Sequence, residues 1–221
     1  MEQTNSTNRR IYANVLLGEG AVLGEYTVIG IPPRGYNEGD LSTVIGRNAV
    51  IRSHTVIYAG NVIGDDFQTG HGVLVRETNE IGSHVSIGTH SIIEHHVKIA
   101  SGVRIHSNVF IPEYSALDEN AWIGPCVVFT NALYPLSPDA KANLRGPHIC
   151  AWAKIGANAT LLPGITVGSH SLVGAGAVVV RDVPAETVVV GNPARLLKSV
   201  RDMNQYRSEL EGAEAGEEGS L

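Results

Sequence analysis

Nine histidines in a chain of 221 residues invite a search for acid–base chemistry, and their spacing sorts them. A histidine exchanges its proton near neutral pH, which makes it the natural general base for a nucleophile. Five of the nine (His54, His84, His90, His96 and His170) share one position in a six-residue repeat, where turn geometry accounts for them. His148 lies in a long irregular segment, and His71, His95 and His106 fall off the turn position. His106 directly follows an apolar repeat residue, where its side chain should leave the body of the molecule. It is the first candidate for a base or substrate contact, against the plainer reading of a surface residue. Carboxylates are its rivals. Glu94 and Pro112 are eighteen residues apart and would stack on adjacent turns of a coil with that repeat, and Glu113 stands beside their column.

The repeat decides the fold. Stepping by six from Ile45 to Phe129 visits fifteen positions, of which thirteen are Ile, Val or Leu. The beat returns at Ile155, Leu161, Val167, Val173 and Val179, and an earlier stretch shows it at Leu17, Leu23 and Ile29. Neither the helical period nor simple strand alternation produces a period of six, whereas a coil of short strands, each turning a corner after one hexad, does. Each inward Ile or Val contributes about 1.5–3 kcal/mol by burial, and nearest-neighbour stacking takes the place of a separate globular core. Three residues after each beat the choice narrows: sixteen of nineteen complete hexads carry Gly, Asn, Asp or His there. These residues best tolerate positive φ, so a tight corner is expected at each. Three corners per rung would give a prism of about 18 residues per turn.

Composition narrows the classes. With a net charge of −6, a pI near 5.8, 5% aromatics and 25 glycines, a broad nucleic-acid or anionic-membrane surface is not expected. Two cysteines, Cys126 and Cys150, imply no disulfide framework. The start, MEQTNSTNRR, has no signal-peptide core, and no run reaches membrane-spanning length. The expectation is a cytoplasmic protein. No GxxxxGK[ST] loop is present, so ATP chemistry is not suggested.

Residues 1–14 read as a loose lead-in, and 15–194 as the coil, with excursions at 31–43 and 130–148 where the beat slips. Long loops in compact folds are uncommon and often functional, so 130–148 is a candidate site wall. From Arg195, Leu196, Leu197, Val200, Met203 and Leu210 fall at helical spacing, predicting an amphipathic α-helix over 195–211. Residues 212–221 are expected to be a disordered tail.

The beat, with VGAGAVVVRDVP (173–184) and GNPAR (191–195), resembles the hexapeptide-repeat, left-handed β-helix acyltransferases over roughly 15–200. The resemblance implies an all-β, left-handed parallel β-helix. IGPCVVFTNALYP (123–135) and AKIGANATLLPGITVG (153–168) are similar to bacterial N-acetyltransferases acting on the 3-amino group of nucleotide-linked amino sugars. That likeness implies acetyl-CoA as co-substrate, no metal, and a homotrimer with clefts between adjacent prisms. The acceptor would be an amino hexose or hexuronate on a UDP or dTDP carrier, in building a surface glycan. It further implies that Asn108 faces the acceptor amine and that Glu94 and Glu113 hold it. Asn131, at the mouth of the long loop, would bind sugar hydroxyls, and Gln68, His71 and Arg76 would contact the nucleotide. Pantetheine would run past Ala157 and Ala175, with Arg181 and Lys198 near the phosphates. Asn108 and Asn131 read equally well as turn residues, and Lys198 as surface charge.

Three rival readings stand beside this one. A sugar O-acetyltransferase would depend on a base such as His106. A γ-type carbonic anhydrase would need a zinc triad, for which His54, His90 and His95 are the candidates. A non-catalytic scaffold would leave the long loop unexplained.

Overall fold

The computed structural model describes residues 8–206. Within them twenty-six short parallel strands wind into a left-handed β-helix, a triangular prism, and with one antiparallel closing strand its three faces are sheets of nine, eight and ten strands. The first face includes Val56–Tyr58, Leu74–Val75, Ile92–Ile93, Phe110–Ile111 and Val128–Phe129. The second includes Val62–Ile63, Glu80–Ile81, Lys98–Ile99, Ala116–Leu117 and His148–Ile149. The third includes Gln68–Thr69, Ser86–Ile87, Arg104–Ile105 and Trp122–Ile123. The edge that follows each face in chain order takes that face's number below.

Register follows the eighteen-residue turn: Leu74 pairs with Ile92, and Ile92 with Phe110. The beat residues Ile51, Ile57, Ile87, Ile93, Ile105, Ile111, Ile123 and Phe129 are buried in one continuous core along the prism axis. Thr69, the polar member of the run, is buried too. Its hydroxyl accepts from the Arg52 amide at 3.0 Å and lies 3.3 Å from that of Thr55. Corners behave as their residues require, with positive φ from Asn48 to Gly176 in all the nineteen hexads except that of Asp182. Thr78, Tyr114 and Cys126, poor choices by type, adopt it as well, because the neighbouring rungs fix the backbone there.

The two excursions share an edge. One connects the first-face strand Val28–Ile31 to the second-face strand Thr43–Ile45, and the other connects Val128–Phe129 to His148–Ile149. Both therefore leave and return across the first edge. The longer one is closed at its base by a hydrogen bond from the Arg145 amide to the Asn131 carbonyl, 2.9 Å.

Two expectations are corrected. The coil begins before residue 15, since Arg10–Ile11 already pairs with Val28–Ile29. The C-terminal segment does not open as an α-helix: Arg195–Ser199 is a strand antiparallel to Thr187–Val190, followed by 3-10 turns at Val200–Asp202 and Asn204–Tyr206. The reason is the strand edge that Thr187–Val190 would leave exposed at the end of the third face; backbone pairing there prevails over side-chain spacing. Residues 207–211 of that helix and the tail 212–221 lie outside the described residues. Among the described residues, no helix is long and apolar enough to cross a membrane.

Candidate active site

Between the two excursions the first edge carries two vertical columns of side chains eighteen apart. Directly after the beat come Tyr58, Arg76, Glu94, Pro112 and Thr130; one residue further come Glu77, His95, Glu113 and Asn131. The position directly after the beat, held by glycine over much of the other two edges, carries charge here at Arg76 and Glu94. Two buried asparagines fix the backbone beneath them. Asn61 and Asn79 donate to the Arg76 carbonyl at 2.8 and 2.9 Å, and Asn79 passes the ladder on by accepting from the Val97 amide at 2.7 Å.

The charges interlock. Arg76 donates to both oxygens of Glu77 at 2.9 Å, reaches Glu94 at 3.3 Å and lies over the Tyr58 ring at 5.1 Å. Glu113 accepts from Asn131 at 2.6 Å and faces His95 Nε2 at 3.5 Å. The other ring nitrogen of His95 is 2.7 Å from His96 Nδ1. Burial pushes the Glu94 carboxyl above its ordinary range; Arg76 opposes the shift, and Glu113 and Glu77 reinforce it. Burial is the largest influence on Glu77 and works to raise it, but hydrogen bonds from Arg76 and from its own backbone, with the charges of Arg76 and His95, together outweigh it and the net shift is downward. The edge thus pairs a reluctant carboxylate at Glu94 with a hydrogen-bonded one at Glu113, one rung apart, with an imidazole between them.

A second constellation occupies the third edge and the adjoining face. A shallow hollow of about 330 Å³ is lined by Arg52, Gln68, His71, Arg104 and His106, among others. His106 replaces the glycine found at this position in the flanking rungs, Gly88 and Gly124. Its ring packs 4.7 Å from that of Trp122, and its Nε2 is buried without a hydrogen-bond partner. Burial, aided by the Arg104 charge, holds the ring below the usual histidine pKa, so it is neutral at pH 7.

The chain's sequence relatives carry a consistent label. The matched segment is 26% identical over 129 residues to a putative acetyltransferase of Saccharomyces cerevisiae, covering 56% of this chain and 60% of that protein. It is 50% identical over 56 residues to 2,3,4,5-tetrahydropyridine-2,6-dicarboxylate N-acetyltransferase of Clostridium perfringens, covering 25% and 24%. Over the matched segments the chain is similar to these acetyltransferases. It matches less than two thirds of the length of either relative. Among solved structures, a hexapeptide-repeat acetyltransferase from Vibrio cholerae aligns at 28% identity and a TM-score of 0.35, covering 52% of this chain and 73% of that one. No family model matches.

In this hexapeptide-repeat chain, the residues singled out from sequence divide between edges. Arg76, Glu94, Glu113 and Asn131 come together at the first edge, and Arg181 stands on it two rungs above Asn131. His106, His71, Asn108, Ala157 and Ala175 lie at the third edge, and Gln68 projects from the third face beside them. Asn108 is a corner residue with φ of 59°. Lys198 sits opposite Val188 on the closing strand. His106 and Asn108 are therefore not on the edge of Glu94 and Glu113, although their positions in sequence interleave. The γ-type histidine set divides too, with His54 and His90 at third-edge corners and His95 on the first edge. Glu77 and His95 complete the acid column and were not grouped with it from sequence. The eighteen-residue spacing of 77, 95, 113 and 131 is the signal that finds them.

Proposed function

We propose that this chain transfers the acetyl group of acetyl-CoA to the amino group of a nucleotide-linked amino sugar, a 3-amino hexose or hexuronate. The observation that carries the reading is the first-edge column, in which Glu113 is held by Asn131 and faces His95, with Glu94 one rung away. An amine reaches such a site as an ammonium ion, which the carboxylates attract. It must lose a proton before its nitrogen can attack the thioester carbonyl, and the His95–Glu113 pair is placed to take that proton. The carbon–sulfur bond then breaks and CoA leaves as the thiol. Holding both substrates in one cleft supplies much of the rate by itself.

The third edge suits the other substrate. Ala157 and Ala175 present only methyl groups, and a Cβ built on Gly176 would meet no atom within 4 Å, so an extended pantetheine arm has room beside the backbone. The acid column and this groove are on different edges of one chain. In a homotrimer the third edge of one copy would face the first edge of the next, and a cleft between them would hold thioester and amine together. This reading places the protein in the cytoplasm, at a step that modifies a sugar for a surface glycan.

A sugar O-acetyltransferase is the second reading, because the unpartnered, neutral His106 is the base that a hydroxyl acceptor would need. Thiol release from acetyl-CoA, followed across UDP- and dTDP-linked 3-amino and 4-amino sugars with hydroxyl sugars as controls, tests both. Turnover on an amino sugar that survives His106→Gln supports the amine reading. Turnover confined to hydroxyl acceptors and abolished by that substitution replaces it with the second. Silence across the panel with no binding of CoA removes both.

A further inference from the structure

The second edge has its own chemistry, away from the acid column and the groove. Its first position after the beat reads Gly18, Gly46, Gly64, Gly82, Ala100, Asp118, Cys150 and Gly168 up the prism. Glycine is the norm for a steric reason: a Cβ on Gly82, for example, would lie 2.6 Å from the backbone nitrogen of Ser101 in the next rung. The norm is broken by functional side chains on two successive rungs only, at Asp118 and Cys150, whose preceding residues Leu117 and Ile149 are paired. Beside them His148 projects from the same face, on the outward side of Ile149. Its Nε2 is 2.9 Å from Asp118 Oδ2, and one ligand atom from each of the three residues lies within 4.8 Å of the others.

We propose that Asp118, His148 and Cys150 form a binding site for a zinc-type divalent cation. The donor set is the mixture of thiolate, imidazole and carboxylate that a borderline-soft cation prefers over magnesium or calcium. Bond lengths of about 2.0–2.3 Å would require the three side chains to close on the ion, and the half-exposed His148 and Asp118 have the freedom to do so. Three protein ligands leave the fourth position of a tetrahedral ion to water. A bound divalent cation stabilises the Cys150 thiolate, and the proton passes to solvent. His148 opens the first strand after the long excursion, so the ion would clamp the returning chain to the rung below.

The test uses the full chain without a polyhistidine tag. Zinc is titrated in competition with a chromogenic chelator, and cobalt(II) serves as the spectroscopic probe. The expected result is one ion per chain, a thiolate-to-cobalt charge-transfer band lost in Cys150→Ser and kept in Cys126→Ser, and affinity weakened on the order of 100-fold or more in His148→Ala. Asp118→Asn preserves side-chain volume and should also weaken binding, so a folding defect in one variant does not decide the matter. Zinc should raise the Tm of the native chain but not of Cys150→Ser. Absence of saturable binding, binding indifferent to all three substitutions, or binding abolished instead by His95→Ala would overturn the proposal. Acetyl transfer is scored separately, so the two readings fail independently.

Discussion

Asn131 donates a 2.6 Å hydrogen bond to Oε2 of Glu113, eighteen residues earlier and one rung below. The bond ties the mouth of the long excursion to the middle of the acid column. The same asparagine accepts from Arg145 through its carbonyl, so the loop's entrance, its exit and the Glu113 carboxylate are joined at one residue.

Glu113→Gln should therefore separate structure from chemistry. The amide keeps the size of the side chain and an oxygen that can still accept from Asn131, while the charge facing His95 is lost. Acetyl transfer should fall by about 10²–10⁴ in kcat, with Tm nearly unchanged and with KM for acetyl-CoA unaffected. Steady-state kinetics beside a thermal melt check it; an equal fall in stability and rate would assign Glu113 a packing role.

Glu94 gives a pH signature. Its folded pKa is raised, so between the ordinary carboxylate value near 4.3 and the raised one, the native state holds the proton more tightly than the unfolded chain. The stability this contributes is complete at low pH and lost as pH rises through the folded pKa. Glu94→Gln stays neutral throughout. Its Tm relative to the native chain should increase with pH across that window and level off above it. A difference that decreases with pH would mean that the attraction of Arg76 outweighs burial.

Two glycines should respond differently to alanine. A Cβ on Gly88 would stand 2.4 Å from the carbonyl carbon of His106 and the amide nitrogen of Ser107, so Gly88→Ala must push the rung that carries His106. Overpacking of this kind costs about 1–3 kcal/mol, and thiol release should drop if His106 takes part. At Gly176 the Cβ meets nothing, and the cost is only the strain of φ +69°, about 1–2 kcal/mol. Asparagine, which tolerates that conformation, should recover most of it. Chemical denaturation of Gly88→Ala, Gly176→Ala and Gly176→Asn checks the order.

The closing strand can be weighed through Val200, which is buried against Val188 with Leu172 and Met203 around them. Val200→Ala removes the equivalent of two methylenes and should cost about 1.5–2.5 kcal/mol. Protection of the Thr187–Val190 amides from hydrogen exchange should fall first, because that strand pairs directly with Arg195–Ser199. Uniform loss of protection along the coil would show instead that the prism unfolds as a single unit.

The coil was legible because each hexad states it twice, through residues such as Ile93 at the beat and His96 at the corner. The end of the coil was not. Leu196, Leu197 and Val200 satisfy a helical spacing, but the edge they cover is a property of the finished sheet and leaves no mark on their own sequence. At the site, spacing of eighteen brought Glu94 and Glu113 to adjacent rungs. Glu94 and His106 are twelve residues apart, two corners and not three, so a single chain carries them on different edges. Asp118 and Cys150 escaped for a related reason: the thirty-one residues between them contain the excursion, which hides a one-rung separation.

That last arithmetic has a wider meaning for the two excursions. Each departs and returns across the same corner, so the core counts neither of them: Phe129 pairs with Leu161 as directly as Leu74 does with Ile92. The first edge behaves as a socket. A segment of any length whose ends meet as Asn131 and Arg145 do could be plugged in without re-registering a single rung, so the loop at this edge can be exchanged while the scaffold that holds the acids stays fixed.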